Sequence, residues 1–328
     1  NTVSAICNLA LLTGQLGRVG ASAFSITGQC NAMGSRETSF TTSIPGYRKF
    51  ESEQDRNEVA AIWNVDADRI PARRGLAYPD IIEAVLARRI KALWIIATNP
   101  LVSFPNQDVL QEALSRLEFL VVQDGFHPTP TTELAHLVLP AAIWGEKEGT
   151  YTNSERRISK VNTAVNAPGE ARSDFDIFLN VAEKLGCRNE IFPGWQKPQD
   201  AFEEWRQVSA GRMCDYSGIS YDFLAKQGSV QWPYPLQAQT VQAQGRESSR
   251  LYTDGQFITA DGRARLVCTK WEPFPEQPNT EYPLIFNTGR TVEHWHTRTK
   301  TAEVAVLENL SPRAWLEMNP RDAKRLSL

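Results

Sequence analysis

The sequence lacks several features that would assign it to a broad class at once. No apolar run approaches the roughly 18 residues that a membrane-spanning helix needs. The formal net charge of -3 gives no global reason to expect nucleic acid or an anionic membrane surface as a partner. The five cysteines form no CxxC pair, which argues against an iron–sulfur or disulfide framework and favours free thiols in a reducing compartment.

Short signature motifs and histidine clusters are also missing. No G-x-G-x-x-G, Walker loop or G-x-S-x-G is present, so no motif points directly to a nucleotide or a serine nucleophile. Only four histidines occur, and His127 and His136 are distant in sequence from the pair His294 and His296. That pair could share one face of a strand, but hydrogen-bonding roles are favoured over a zinc site.

Two short apolar runs, each ending in polar residues, are the most informative feature present. Residues 93–97 lead to Asn99, and residues 119–122 lead to Asp124. Residues 105–117 carry apolar side chains on one face of a 3.6-residue period, so the region predicts strand, helix, strand. Short joints indicate a right-handed parallel crossover, and ligands of open parallel sheets lie beyond the carboxyl ends of the strands. We therefore expect Asn99 and Asp124 to face a bound molecule.

The rest of the chain predicts an α/β protein with less regular later parts. Helices are predicted over residues 1–12, 79–90, 173–185 and 199–209, with another beginning after the N-cap Thr129. Strands are predicted over residues 137–140 and 283–287, and a hairpin joins 257–259 to 265–267 through Asp261-Gly262. Residues 22–47 and 145–157 lack a sustained period and predict loops, of which the first is long enough to be functional.

Two polar groups have both a functional and a structural interpretation. The Asp124 carboxylate can accept paired hydrogen bonds from the N1 and N2 edge of a guanine, or it can cap the turn at Gly125. Lys147, Arg156 and Arg157 lie in a loop with glycines and could hold phosphate. Three glutamates balance their charge, so the residues alone favour a solvated loop.

Four stretches of the sequence carry a family likeness, and their order and spacing match across almost the whole chain. They are residues 11–14 with 25–37, residues 97–100, residues 122–157 and residues 288–297. Together they resemble the molybdopterin guanine dinucleotide oxidoreductases of the DMSO reductase superfamily, most of all the assimilatory nitrate reductases.

The resemblance implies a Mo-bis(molybdopterin guanine dinucleotide) cofactor and a set of residues that contact it. These are Gln29, Asn99, Gln123, Asp124, Lys147 and Asp174, and, lining the pterin, Thr288, Gly289, Arg290, Glu293, His294, Trp295, His296 and Thr297. It makes guanine the favoured partner of Asp124. At Lys147 it favours a contact with the cofactor over a solvated loop. For Asp174, an interaction with the dipole of a helix N-terminus stays open as the alternative.

The resemblance also implies a reaction: nitrate reduction to nitrite by oxygen-atom transfer at molybdenum, in nitrate assimilation. Formate dehydrogenases of the superfamily place an arginine where Thr27 stands, so Thr27 favours nitrate. Thr27, Met33 and Arg36 are the weak catalytic candidates, and Arg36 is more readily explained by a structural ion pair with Glu37 or another carboxylate. A formate dehydrogenase-like enzyme and a cofactor-free structural subunit of the same fold stay open as alternatives.

The likeness also predicts how the chain is organised and what it lacks. Residues 1–140 would be part of a Rossmann-like α/β cofactor-binding domain, 141–275 a connecting α+β segment, and 276–328 the start of a β-rich C-terminal domain. Both ends are expected to be cut, with a [4Fe-4S] cluster and the molybdenum ligand upstream and no metal ligand in this chain. The fragment alone would be inactive. The intact protein would be cytoplasmic and take electrons from ferredoxin, flavodoxin or a nicotinamide-dependent reductase.

Overall fold

A computed structural model of the chain describes residues 2–39, 42–238 and 250–328. The chain divides into two compact units: residues 1–77 with 142–273 (the first unit) and residues 78–141 with 274–328 (the second unit). These units do not follow the boundaries expected from the sequence, which stay predictions. Residues 239–249, part of the predicted connecting segment, lie outside the described residues. Within the described ranges, no helix is long and apolar enough to span a membrane.

The regular elements are short and follow one another closely along the chain. The helices are α1 Thr2–Leu12, α2 Ala32–Thr38, α3 Glu53–Trp63, α4 Tyr78–Leu86, α5 Pro100–Ser103, α6 Gln107–Ser115, α7 Pro130–Glu133, α8 Asp174–Lys184, α9 Arg188–Ile191, α10 Pro198–Ser209, α11 Tyr221–Gln227, α12 Ala305–Leu310 and α13 Pro320–Arg325. The strands are β1 Ala92–Ile96, β2 Phe119–Asp124, β3 Leu137–Pro140, β4 Gly149–Thr152, β5 Arg157–Val161 and β6 Val230–Gln231.

A three-stranded parallel sheet organises the second unit. Its order is β1-β2-β3, with Ile96 opposite Gln123 and Asp124 opposite Pro140. The predicted strand–helix–strand crossover is confirmed, with α6 between β1 and β2 and the short α5 ahead of it. Because all three strands run the same way, their carboxyl ends meet at one edge, and Gln123 and Asp124 are the last residues of the middle strand.

The apolar face of the crossover helix forms the core of the second unit. Leu110 and Leu114 of α6 are almost fully buried and pack with Leu120 and Val122 of the middle strand. Helix α4 adds Val85 to the same cluster. The 3.6-residue period on α6 meets the central strand of the sheet, which is why this pattern was readable from the sequence.

An antiparallel sheet of order β4-β5-β6 lies in the first unit, in a region where the sequence predicted only a loop. The turn between β4 and β5 is closed by the Asn153 carboxamide, which accepts hydrogen bonds from the backbone N–H of Glu155 and Arg157 at 3.0 Å. Arg156 takes the left-handed conformation there, with φ of 64°. The loop prediction for residues 145–157 is therefore wrong at residues 149–152, which form β4, whereas residues 153–156 are a turn.

The helices of the first unit agree better with the sequence. Helix α8 begins after the N-cap Ser173, which accepts from the Asp176 backbone N–H, and α10 covers the predicted 199–209 segment. Helix α2, however, lies inside the long loop predicted over 22–47. Its seven residues are too few to show a 3.6-residue period.

Two predicted β elements are absent where the sequence placed them. Residues 257–267 form a turn in which Gly262 N donates to Thr259 O at 3.1 Å, without paired strands, and residues 283–287 are irregular. Side chains such as Ile285 and Phe286 are exposed. A two-stranded ribbon is marginal unless its apolar face packs on something, so the local turn signal alone was insufficient. The β-rich description of 276–328 is not confirmed.

Two leucines of the same sheet test how the core of the second unit is built. Leu120 is fully buried and Leu137 is 43% exposed. Leu120→Ala should lower the free energy of unfolding by about 2–5 kcal/mol, because it leaves a cavity, whereas Leu137→Ala should cost much less. Urea denaturation followed by circular dichroism measures both, and equal losses would contradict the burial described here.

Candidate functional site

The carboxyl edge of the parallel sheet is built by polar residues of three chain segments. Gln123 is fully buried at the end of β2, and its carbonyl accepts from Ala97 N at 2.8 Å. Ala97 leaves β1 in the left-handed region, with φ of 54°, and turns the chain toward Asn99. The structure thus confirms the predicted position of Asn99 and Asp124 at this edge; their ligand roles stay predictions.

Asn99 is held by two threonines that the sequence did not single out. Its Oδ1 accepts from Thr131 Oγ1 at 2.7 Å, and its Nδ2 donates to Thr299 Oγ1 at 3.4 Å. Thr131 is fully buried and also accepts from Leu101 N at 3.3 Å. The Thr129 helix start predicted the location of Thr131 but gave no sign of this role. Asn99 therefore links α5, α7 and residue 299 within the second unit.

The Asp124 carboxyl group is half-buried and caps its own turn. Its Oδ1 accepts from Phe126 N at 3.0 Å, so the turn-capping interpretation is present in the structure. Burial raises the pKa of Asp124 above its ordinary value, while the Phe126 and Gly125 backbone N–H groups and the Lys300 charge act in the opposite direction. A carboxylate has about four lone-pair sites, so capping leaves acceptor capacity for a ligand.

Residues 288–297 form an irregular segment of the second unit that carries a buried histidine. His294 Nε2 lies 2.7 Å from the Ser311 carbonyl oxygen, so Nε2 donates there, and it also lies 3.7 Å from Glu308 Oε2. The other ring nitrogen, Nδ1, lies 3.1 Å from Thr301 Oγ1. His296 takes a φ of 47°, and partial burial with nearby Arg290 lowers its pKa.

One hydroxyl in this segment is buried without a partner. Thr291 Oγ1 makes no hydrogen bond with any residue that the structure describes. A buried polar atom without a partner is costly, and such atoms mark places where a ligand or water completes the bonding. By contrast, Thr288, Gly289 and Arg290 are exposed.

The first unit brings together Lys147 and Asp174, two more of the predicted cofactor contacts. Lys147 Nζ and Asp174 Oδ2 form a part-buried ion pair, and Asp174 is also the first residue of α8. Both the ion pair and the helix position stabilise the carboxylate. Arg156 instead donates to Trp232 O and lies over the indole ring at 5.1 Å, and Arg157 donates to Ser229 O at 3.1 Å.

The loop before α2 holds the remaining candidates. Gln29 is exposed, and Thr27 Oγ1 lies 3.2 Å from Ser25 Oγ. Met33 packs against the aromatic core cluster of the first unit. Arg36 is exposed and makes no ion pair with Glu37 or another carboxylate among the described residues, so the expected ion pair is wrong.

Glu37 is instead fully buried as the acceptor of a hydrogen-bond network. Tyr216 Oη donates to Oε2 and Trp232 Nε1 to Oε1, each at 2.5 Å. Thr152 Oγ1 lies 2.6 Å from Tyr216 Oη, so it donates to the phenol whose own proton is committed to Glu37. Two ring donors and burial explain why Glu37 has no need of Arg36. No local pattern could have predicted this network, since the partners lie 179 and 195 residues away.

The pH dependence of stability tests this network. Burial, the largest cause, raises the pKa of Glu37, so the folded chain holds the proton more tightly than the unfolded chain. This contribution is complete below the ordinary pKa and is lost as pH rises through the folded-state value. The unfolding free energy of the wild type should therefore fall relative to that of Glu37→Gln as the pH rises above about 4.5, the ordinary pKa of a glutamate.

Denaturation at several pH values measures this difference. The exposed Glu155→Gln is the control, and its difference from the wild type should show no such fall. A difference between wild type and Glu37→Gln that stays constant or grows with pH would contradict the account.

Family comparisons give the site its context. The Molybdopterin oxidoreductase family matches residues 1–184, and the Molydopterin dinucleotide binding domain family matches residues 284–328. The chain is 40% identical over 309 residues to a nitrate reductase of Synechocystis, covering 94% of this chain and 43% of that protein. It is 36% identical to the F420-dependent formate dehydrogenase subunit alpha of Methanocaldococcus jannaschii, covering 100% and 46%.

Two further similarities bear on the family and on the fold. The assimilatory nitrate reductase catalytic subunit of Bacillus subtilis is 35% identical, over 98% of this chain and 44% of that protein. Among solved structures, acetylene hydratase from Pelobacter acetylenicus matches with a TM-score of 0.55 and 19% identity, over 85% of this chain and 38% of that one. The last match concerns the fold alone. The chain thus spans less than half the length of these curated relatives.

Proposed function

Because the chain belongs to the molybdopterin oxidoreductase family, we propose that it is part of an enzyme that reduces nitrate to nitrite. The relatives named nitrate reductase, at 40% and 35% identity over most of the chain, support this activity. Thr27, in the loop before α2, stands where formate dehydrogenases of the superfamily place an arginine, and this difference supports nitrate over formate. The activity is proposed for the whole protein, because this chain spans less than half the length of these relatives.

The residues present fit a molybdopterin dinucleotide. The second unit offers a carboxylate, a buried amide and imidazole nitrogens, together with the unpartnered Thr291 hydroxyl. We propose that the cofactor is Mo-bis(molybdopterin guanine dinucleotide), which when bound supplies the redox chemistry. The role of these residues is to bind and orient it.

The observation that carries the proposal is the position of Asp124. It ends the middle strand of a parallel sheet, where the carboxyl ends of the strands leave a ligand crevice in open α/β folds. Its half-buried carboxylate has acceptor capacity beyond the turn that it caps, and it would accept hydrogen bonds from guanine N1 and N2. Asn99 and Gln123 would line the same edge, and residues 288–297 would line the pterin.

Lys147 and Asp174 of the first unit would form a phosphate contact. In the structure their charges neutralise each other. A bound phosphate would compete with Asp174 for the Lys147 ammonium, as lysine binds phosphate as a point charge. Gln29 would add an amide contact from the exposed loop before α2.

A formate dehydrogenase-like activity is the second candidate, because a subunit of that name is 36% identical over the full chain. Full-length protein assayed with reduced viologen and nitrate, and with formate and an oxidised dye, distinguishes the two. We expect turnover with nitrate; turnover with formate alone would favour the second candidate. Purified protein with neither molybdenum nor pterin would support a cofactor-free structural subunit instead. A cytoplasmic location, and ferredoxin, flavodoxin or a nicotinamide-dependent reductase as donor, complete the proposal.

Asp124→Ala tests the anchoring role in the full-length protein. Removing the acceptor should leave guanine donors unpaired at a cost of about 1–3 kcal/mol. The molybdenum and the acid-released GMP per chain should therefore fall, while the free energy of unfolding changes little. Asp261→Ala is the matched control, because Asp261 caps an exposed turn in the same way, accepting from Arg263 N at 3.2 Å. Normal molybdenum and GMP content in Asp124→Ala would refute the anchoring role.

A further inference from the structure

Lys300 occupies an unusual position beside Asp124 in the second unit. Its ammonium lies 4.9 Å from the centroid of the Trp295 ring and 5.8 Å from that of Phe126. The backbone N–H of Phe126 donates a hydrogen bond to the Asp124 carboxylate. An exposed lysine can extend freely into water, yet this one lies over two aromatic faces at the turn that carries the acid.

The charge of Lys300 also acts on Asp124, since it is among the causes that lower the pKa of that carboxyl group. The two side chains are not close enough for an ion pair, because no salt bridge joins them in the described part of the chain. The turn therefore presents an acceptor and a donor as separate groups, with the donor over two flat aromatic rings. Such a set is suited to a planar ligand that has donors and an acceptor along one edge.

Guanine has that edge. Its N1 and N2 groups donate, and its neighbouring O6 accepts, a pattern for which lysine at O6 is a standard partner in nucleic-acid recognition. Cytosine and adenine carry an amino group where guanine has O6, and an ammonium cannot accept a hydrogen bond from it. A carboxylate and an ammonium together distinguish guanine from both bases, whereas the carboxylate alone reads only half of the pattern.

We propose that Lys300 is a base-discriminating residue, whose ammonium donates to guanine O6 while Asp124 accepts from N1 and N2. This inference rests on the proposed function and deepens it, because it explains how a guanine form of the dinucleotide is selected. The ammonium leaves the faces of Trp295 and Phe126 when the base binds. A cation–π contact at an exposed site is weaker than a hydrogen bond from a charged donor, so the exchange is favourable.

Binding of mononucleotides to full-length protein produced without the cofactor tests the proposal. The probes are GMP, CMP and 6-thio-GMP, which keeps the N1 and N2 donors of guanine but replaces O6 by a poorly accepting sulfur. Lys300→Met should weaken GMP binding about tenfold, the effect of one hydrogen bond from a charged donor. The binding of CMP and 6-thio-GMP should change by less than about twofold.

Two further variants complete the design. Lys300→Arg keeps a cationic donor and should restore the preference for GMP over 6-thio-GMP. Lys324→Met, an exposed lysine of the same unit, is the matched control and should bind all three probes as the wild type does. Both can be checked for folding by the same denaturation assay as the core variants.

The contrary outcomes are distinct. If Lys300→Met weakens all three probes equally, the ammonium binds phosphate and the base-reading proposal is wrong. If GMP binding is unchanged, Lys300 has no part in the site. A wild type that prefers GMP over CMP, loses that preference in Asp124→Ala and keeps it in Lys300→Met would overturn this inference alone. A wild type with no preference for GMP would count against the guanine site itself. That site is tested independently by the amount of GMP that acid releases from the loaded enzyme and by the viologen assays.

Discussion

The structure of the second unit depends on the parallel pairing of β1, β2 and β3. Parallel strands bring their carboxyl ends to one edge, so the last residues of a buried strand are the ones able to meet a ligand there. Leu120 and Val122 fix the register of β2 by burial against α6. A shift of one residue would expose them and turn Asp124 to the other face. The position of the acid thus follows from the packing of the core behind it.

The sequence predicted this edge because the pattern was local and strong. The apolar runs, the 3.6-residue period between them and the Pro130 helix start lie within about fifty residues and need no distant partner. Asp261-Gly262 predicted a hairpin by equally local reasoning and was wrong; the flanking Ile258, Leu266 and Val267 are exposed, so most of the apolar face of such a ribbon would lack a packing partner. Turn chemistry alone selects a turn and does not create a sheet.

The site was less predictable than the fold, because its contacts join residues far apart in sequence. Asn99 meets Thr299 across 200 residues, and Glu37 meets Trp232 across 195. Lys300 lies just after residues 288–297, which the resemblance implies to line the pterin. Only the structure, however, relates Lys300 to Phe126 and Asp124. Family likeness located the candidate segments, while burial and hydrogen-bond geometry showed how each side chain is held in them.

The proposed cofactor site depends on a carboxylate at the end of β2 that holds a guanine base. The most direct measurement is an experimental structure of the full-length protein loaded with its cofactor. We expect guanine N1 and N2 at hydrogen-bond distance, about 2.7–3.2 Å, from the Asp124 carboxylate oxygens. An Asp124 that contacts only the backbone N–H groups of Gly125 and Phe126, with the base bound elsewhere, would contradict it.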